Sequence, residues 1–343
     1  MNPAIRFVLS VLPLGAVAGA PAATAQSASA PPDPAANPCQ RTCLEGWVDK
    51  YLAAMKAHNP DPQLFATDLK FTENGIRLPF GHEGLWYDMA DVGAYKFYVP
   101  DIETQQVAFI GTVKEQGRTS ATGAPASPTT VALVLRLKVR DGRITEIEQL
   151  AIRPDVPLGS TAPAPSRFAL TGQAIEAMRA PDPSFSEALP ANDRPSREQL
   201  IRVANFYFSG LSHNDGKGYY PFTDDCVRYE NGIDVLAGRP GADGKPGLRQ
   251  SCKGQFENAL KGVVSRVRDR RFVAVDRERG IVFAFAFFDH FNINWTWQLG
   301  ELFQIQGGKI RRIEAAFHRA PFGTPSGWST YEQSMSEDVQ SVR

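Results

Sequence analysis

The chain has 343 residues, enough for two domains of ordinary size. Hydrophobic residues make up 43% and charged residues 22%, the balance of a folded protein with a core in each half. With 37 basic against 37 acidic side chains and no basic stripe or charged block, neither nucleic acid nor a strongly charged partner is expected.

The chain opens on Arg6, an apolar run from Phe7 to Ala18 and the small-x-small site Ala23-Thr24-Ala25. That pattern predicts a secretory signal peptide over residues 1–25. The apolar run is too short, and too rich in Pro and Gly, to span a bilayer, so no stable membrane insertion is expected. The predicted location is periplasmic or secreted. Residues 26–38 read as an Ala/Pro/Ser tether that cannot form a core.

Export makes Cys39, Cys43, Cys226 and Cys252 candidates for disulfides. Four cysteines allow three pairings. Cys226–Cys252 is favoured because both lie in one domain and close a moderate loop, a constraint of about 3–4 kcal/mol in the chain-entropy model. Cys39 and Cys43 lie one helical turn apart and can pair locally. A zinc site competes, but it lacks histidines at the usual spacing. No phosphate loop, nucleophile elbow or metal-ligand cluster is evident, so no metal or cofactor is expected.

A first domain is predicted over 39–155. It begins with an amphipathic helix through Leu44, Trp47, Val48, Tyr51, Leu52 and Met55, which ends near His58-Asn59. Val131, Leu133, Leu135, Leu137 and Val139 alternate with Ala132, Val134, Arg136 and Lys138, which predicts a strand. The tight turn Asp141-Gly142 follows. Residues 117–129 read as a polar loop. A Pro-rich linker spans 156–190, with a short helix near Ile175 to Arg179. A second domain over 191–328 opens with the cap Ser196 and its partner Gln199. Leu200, Val203, Ala204, Tyr207 and Leu211 then share a helical face. Ile281 to Phe288 predicts a strand buried on both faces. The polar tail 329–343 is expected to fray.

These halves repeat one another. His58-Asn59 leads to Glu73-Asn74-Gly75, and His213-Asn214 leads to Glu230-Asn231-Gly232. Phe97-x-Val99-x-Asp101-x-Glu103 matches Phe272-x-Ala274-x-Asp276-x-Glu278. Asp141 to Arg153 matches Gly307 to Arg319 without a gap. Three matches in one order predict a duplicated domain. Ile144/Ile147 and Ile310/Ile313 are three apart just after each turn, which predicts a β-bulge in both copies.

A leading helix and a sheet ending in Leu302-Phe303-Gln304-Ile305-Gln306-Gly307-Gly308-Lys309-Ile310-Arg311-Arg312-Ile313-Glu314-Ala315 resemble the NTF2-like (SnoaL-like) superfamily. More narrowly, the paired Glu-Asn-Gly runs resemble a tandem family of exported or fungal proteins of unassigned function. Arg268-Asp269-Arg270-Arg271-Phe272, Phe287-Phe288-Asp289-His290 and Pro325-Ser326-Gly327-Trp328 carry the same resemblance. It covers about residues 39 to 328. It implies an α+β fold of two cones, each a curved antiparallel sheet wrapping helices, joined as an intrachain pseudo-dimer with a large apolar interface. The superfamily includes isomerases, dehydratases, cyclases, epoxide hydrolases and non-catalytic binders, so the fold does not select a reaction.

Candidate groups follow from the repeats. Glu73 and Glu230 can act as bases while Asn74 and Asn231 orient a substrate oxygen. Asn-Gly is equally a hairpin turn. Asp289 and His290 end a strand but point to opposite faces, so they do not form a dyad directly. His82 and Trp86 lie in or beside a Gly-rich stretch suited to a pocket rim. Glu314, like Glu148, can project into its cone, where desolvation makes a base. His58 and His213 close helices and read as dipole partners. Trp295 and Trp297 share a strand face, as core or pocket wall, and Arg228 and His318 are further binding candidates. Two functions fit. One is an exported protein that isomerises, dehydrates or cleaves a small apolar or aromatic metabolite by carboxylate/His chemistry. The other is a non-catalytic binding module. The second half keeps more of these groups together and is the expected seat of the site. The chain is expected to be a monomer with an internal pseudo-two-fold, or a weak homo-oligomer.

Overall fold

The computed structural model describes residues 38–117, 127–156, 160, 162–238 and 247–341. The expected signal peptide, nearly all of the tether and most of the polar loop fall outside the described residues. The first half comprises α1 (Arg41–Lys56), β1 (Phe65–Glu73), α2 (Leu85–Asp88), β2 (Met89–Asp101), β3 (Gln106–Glu115), β4 (Thr129–Arg140) and β5 (Arg143–Ile152). Next come α3 (Thr171–Met178), α4 (Arg197–Leu211), β6 (Phe222–Glu230), β7 (Ile233–Asp234) and α5 (Cys252–Gly254). The chain continues through β8 (Arg266–Asp276), β9 (Ile281–His290), β10 (Trp295–Gln306), β11 (Lys309–Pro321) and α6 (Tyr331–Met335).

These strands form two sheets, ordered β1-β5-β4-β3-β2 and β7-β6-β11-β10-β9-β8. Both are mixed, which corrects the expectation of wholly antiparallel sheets: β1 runs parallel to β5, and β6 to β11. Those pairs are not joined by a hairpin, so no tight turn forces opposite directions. The sheets match strand for strand, with β7 as the addition in the second. Glu73 faces Gln149 across its parallel pair, and Glu230 faces Ala315 at the same register. Glu148 and Glu314 are likewise equivalent, facing Thr72 and Tyr229.

The expected bulge occurs in both copies. Lys138 faces Glu146 and Val139 faces Ile144, leaving Thr145 extra; Gln304 faces Arg312 and Ile305 faces Ile310, leaving Arg311 extra. The extra residue returns Ile144 and Ile147 to one core, and Ile310 and Ile313 to another.

Helix α1 buries Leu44, Val48, Tyr51, Leu52 and Met55, and α4 buries Leu200, Ala204, Tyr207, Phe208 and Leu211 at identical spacing. Each packs on one face of its own sheet to make a core. A third core lies between the sheets, where Tyr95, Phe97, Ile110 and Val134 meet Val273, Phe283, Phe285 and Leu302. That layer is apolar but also carries buried polar pairs. Arg271 donates from both terminal nitrogens to Glu148 at 2.7 Å, and Tyr95 Oη donates to Glu314 at 2.5 Å.

Both disulfides form, Cys39–Cys43 and Cys226–Cys252. They fit an oxidising compartment. Among the described residues no helix is long and apolar enough to cross a membrane.

Two segments read as loose are packed. The linker buries Ala169, Ile175 and Phe185. Its helix α3 sits so tightly on the Asn231-Gly232 turn that a Cβ at Gly232 would lie 2.5 Å from the Ile175 nitrogen. The tail docks on β8, the edge strand of its sheet. Asp269 N donates to Ser336 O, Gln340 N to Arg270 O, and Arg268 Nη1 to Ser334 O. An edge strand presents unpaired backbone groups, and the tail satisfies them. Just before it, Trp328 reaches back to the first sheet, donating to Thr72 Oγ1 at 2.8 Å beneath Lys70 and Arg136.

Candidate functional site

Each Glu-Asn-Gly run is a two-residue turn. Asn74 and Gly75 have φ of 52° and 80°, and Asn231 and Gly232 have 51° and 77°. Type I′ turns require this left-handed pair, which Asn and Gly tolerate best. Each Asn side chain also pairs with backbone. Asn74 Nδ2 donates to Ala151 O at 3.2 Å, and its Oδ1 accepts from Ala151 N at 2.9 Å. Asn231 does the same with Phe317, at 3.1 Å and 2.8 Å. The amide imitates one more peptide group and supports β5 and β11 past the ends of β1 and β6. Both amide ends are engaged in each copy.

Beyond these clamps the two strand ends meet at a cavity of about 530 Å³. Equivalent residues of the two halves line it: Asn74 and Asn231, Ala151 and Phe317, Ile152 and His318, Arg153 and Arg319. The aromatic wall comes from the second half and the linker. Trp297 stacks on Phe317 at 4.6 Å, and Phe168 packs edge-on to Phe317 at 5.1 Å. Trp295 shares the strand face of Trp297, as the period of two predicts, and also lines the cavity.

Two histidines border this wall. His318 is half-buried, and burial pushes its pKa down to about 4, so the ring is neutral. Its Nδ1 lies 3.1 Å from Arg319 O and its Nε2 3.0 Å from the Gln298 amide. A neutral ring donates to the carbonyl and accepts from the amide, whose O and N positions interchange by a flip. His290 lies behind Trp297 at 4.6 Å. Burial lowers its pKa, and Nδ1 donates to Val263 O at 2.7 Å. Its Nε2 is buried without a partner among the described residues.

Each sheet also holds its Glu, buried at Glu73 and half-buried at Glu230, in a polar cluster beside the leading helix. In the first half, Trp86 Nε1 donates to Tyr51 Oη at 3.0 Å, Tyr51 donates to Gln149 at 2.6 Å, and Gln149 donates to Glu73 at 2.9 Å. Leu85 N and Arg153 complete the shell of Glu73. In the second half, Arg228 donates to Tyr207 at 2.9 Å and to Gln255 at 2.7 Å, and pairs with Glu230. Glu301 stands next to them with a buried Oε2 that has no partner. Burial raises its pKa to about 8, with Arg228 opposing and Glu230 reinforcing the rise. Glu301 was not among the sequence candidates, although the signal was present. It interrupts the inward row Leu299, Phe303 and Ile305, and a carboxylate in such a row is buried by the period of two.

The other candidates fall apart from one another. Trp86 is fully buried core instead of a pocket wall. His82 is exposed and lines a separate open pocket of about 590 Å³ with Glu83, Tyr87 and Gln116. Asp289 accepts from Arg266, Arg268 and Thr296, on the face opposite His290. Glu148 and Glu314 face the other sheet instead of the core under their own sheet, because the bulge turns Ile147 and Ile313 inward and their successors outward. Burial pushes Glu314 up to about 7. His58 and His213 take φ of 51° and 53° at their helix ends. His58 Nδ1 meets Trp86 O at 2.6 Å, and His213 meets Glu337 at 3.0 Å. Among the described residues no group of three or more His, Cys, Asp or Glu could hold a metal ion.

Residues 193–317 match the family model described as "Domain of unknown function (DUF8021)". No curated protein matches the chain. Among solved structures, a de novo designed protein with a curved β-sheet is similar at 18% identity and a TM-score of 0.24, over 36% of this chain and 88% of its own. PrhC from Penicillium brasilianum NBRC 6234 is similar at 17% identity and a TM-score of 0.26, over 36% and 82%.

Proposed function

We propose that the protein is an exported small-molecule binder made of two NTF2-like cones in an intrachain pseudo-dimer, and that its ligand is an apolar or aromatic molecule held at the strand-end cavity. The carrying observation is the wall of Phe168, Trp295, Trp297 and Phe317 around about 530 Å³, a volume suited to a small organic ligand. The matched strand orders and the shared middle core support the pseudo-dimer. The two cone interiors are occupied by their own helices and polar clusters, which favours a site between the halves. The test is quenching of tryptophan fluorescence by a panel of naphthalene and indole derivatives. Saturable quenching in the wild type that Trp297→Ala weakens at least tenfold is expected. No saturable quenching by any member of the panel would remove the reading.

One observation favours an enzyme as the second reading. Glu301 is a buried carboxyl with a pKa near 8 beside Tyr207 and Arg228, an arrangement suited to proton transfer in an isomerase, dehydratase or lyase. It lies on none of the three cavities bordered by His82, Arg202 and Trp297. Turnover lost in Glu301→Gln, at an unchanged thermal midpoint, would select this reading.

A further inference from the structure

We propose that Arg319 and the indole N–H of Trp295 anchor an anionic oxygen group, so that the cavity takes an aromatic or apolar acid. This rests on the cavity reading above and narrows it to a ligand class.

The duplication supplies a reference for Arg319. Its equivalent, Arg153, has two carboxylate partners: Glu115 at 2.6 Å and Glu73 at 3.1 Å. Neither partner serves the second half. Glu230 occupies the place of Glu73 but pairs with Arg228. Arg228 stands where the first half has Phe71, since Arg228 faces Ile313 as Phe71 faces Ile147. His290 occupies the place of Glu115, since it pairs with the first residue of β10 as Glu115 pairs with the first of β4. A buried neutral imidazole cannot neutralise a guanidinium.

The Arg319 guanidinium therefore has no hydrogen bond or ion pair among the described residues. It lies 4.0 Å over the Trp295 ring. Stacking engages the flat face of a guanidinium and leaves its N–H fork open to a carboxylate. Arg319 is exposed, whereas the Trp295 Nε1 beside it is buried and without an acceptor, a condition that calls for an explanation in a folded protein. Two donors without acceptors thus stand side by side on the wall of one cavity. Phe168, Trp297 and Phe317 supply the apolar remainder. The carboxylate on the lining, Asp155, is exposed on the linker side.

The probes are 2-naphthoate and its methyl ester, which share a ring system and differ in charge. Calorimetry on the mature full-length protein should show the acid binding about tenfold tighter or more, the scale of a charge-assisted hydrogen bond. Arg319→Gln should weaken the acid by a similar factor and leave the ester unchanged. Arg319→Lys should restore part of the preference, and Trp295→Phe should lose part of it while keeping the ring. Equal wild-type affinity for acid and ester would overturn the anion anchor and leave the cavity reading standing. Equal loss of both probes in Arg319→Gln, with Arg319→Lys no better, would overturn it also. If neither probe binds, the anchor falls, and the cavity reading falls with it only when the rest of the panel also fails to quench.

Discussion

The two halves share a frame and differ in how they balance the charge buried within it. In the first, Glu73 is met by Arg153, which reaches in from the end of β5 and is still 35% exposed. In the second, Arg228 comes from β6 itself, is buried, and faces two carboxyls, Glu230 and Glu301. The partner of the helix tyrosine has also moved one strand over. Tyr51 bonds to Gln149 on β5, whereas Tyr207 bonds to Glu301 on β10, where the first half has Leu135. The two matched cores thus hold their buried charges at different positions, with Arg228 meeting Glu230 in the second half where Arg153 meets Glu73 in the first. The relocation releases Arg319 at the cavity.

The largest expected break in this comparison is Arg228→Met. Removing the guanidinium leaves Glu230 and Glu301 without their buried partner, and urea denaturation should show a loss of about 3–5 kcal/mol. Arg153→Met should cost about 1–2 kcal/mol, because water reaches Glu73 and Glu115 once the half-buried arginine at the strand end is gone. Equal losses would mean that the two charge solutions are energetically alike.

The disulfides rank next. Cys226→Ser with Cys252→Ser opens a loop of sequence separation 26 next to Glu230, at a cost of about 3.5 kcal/mol. Cys39→Ser with Cys43→Ser opens a separation of 4, and the same model gives about 2 kcal/mol. The clamps should behave alike instead. Asn74→Ala and Asn231→Ala each delete two backbone bonds at a left-handed position, for about 1–3 kcal/mol apiece. A clear difference between them would show that the two strand ends are not equally dependent on their turns.

The smallest effect is a pH slope. Glu314 is raised to about 7 and Glu301 to about 8, from an ordinary value of 4.5. Between pH 4.5 and 8 the folded protein therefore holds protons that the unfolded chain has released, so stability falls as pH rises through that window and levels off above it. Glu301→Gln should flatten the upper part of this decline, and Glu314→Gln the lower part. Thermal midpoints that rise from pH 5 to pH 8 would contradict both assignments.

Local chemistry made much of this readable in the sequence. Helix spacing fixed Tyr51 and Tyr207 on buried faces, Asn-Gly fixed the turns, and the three-residue isoleucine spacing fixed the bulges, because each depends on nearest neighbours along the chain. The Cys226–Cys252 pair is the favoured one of three because both cysteines lie in one domain and close a moderate loop. Tertiary structure decided what depends on residues distant in sequence. The bulges turn Glu148 and Glu314 away from their own cores, and only the folded chain shows that the opposite sheet buries them there, against Arg271 and Tyr95. The described residues of the linker and tail are held by the surfaces they cover, a sheet face and a sheet edge, which their Pro-rich and polar compositions do not encode. Arg319 looks like Arg153 in sequence. Only the folded chain shows that one is neutralised and the other is not, because an ion pair is set by which side chains converge in space.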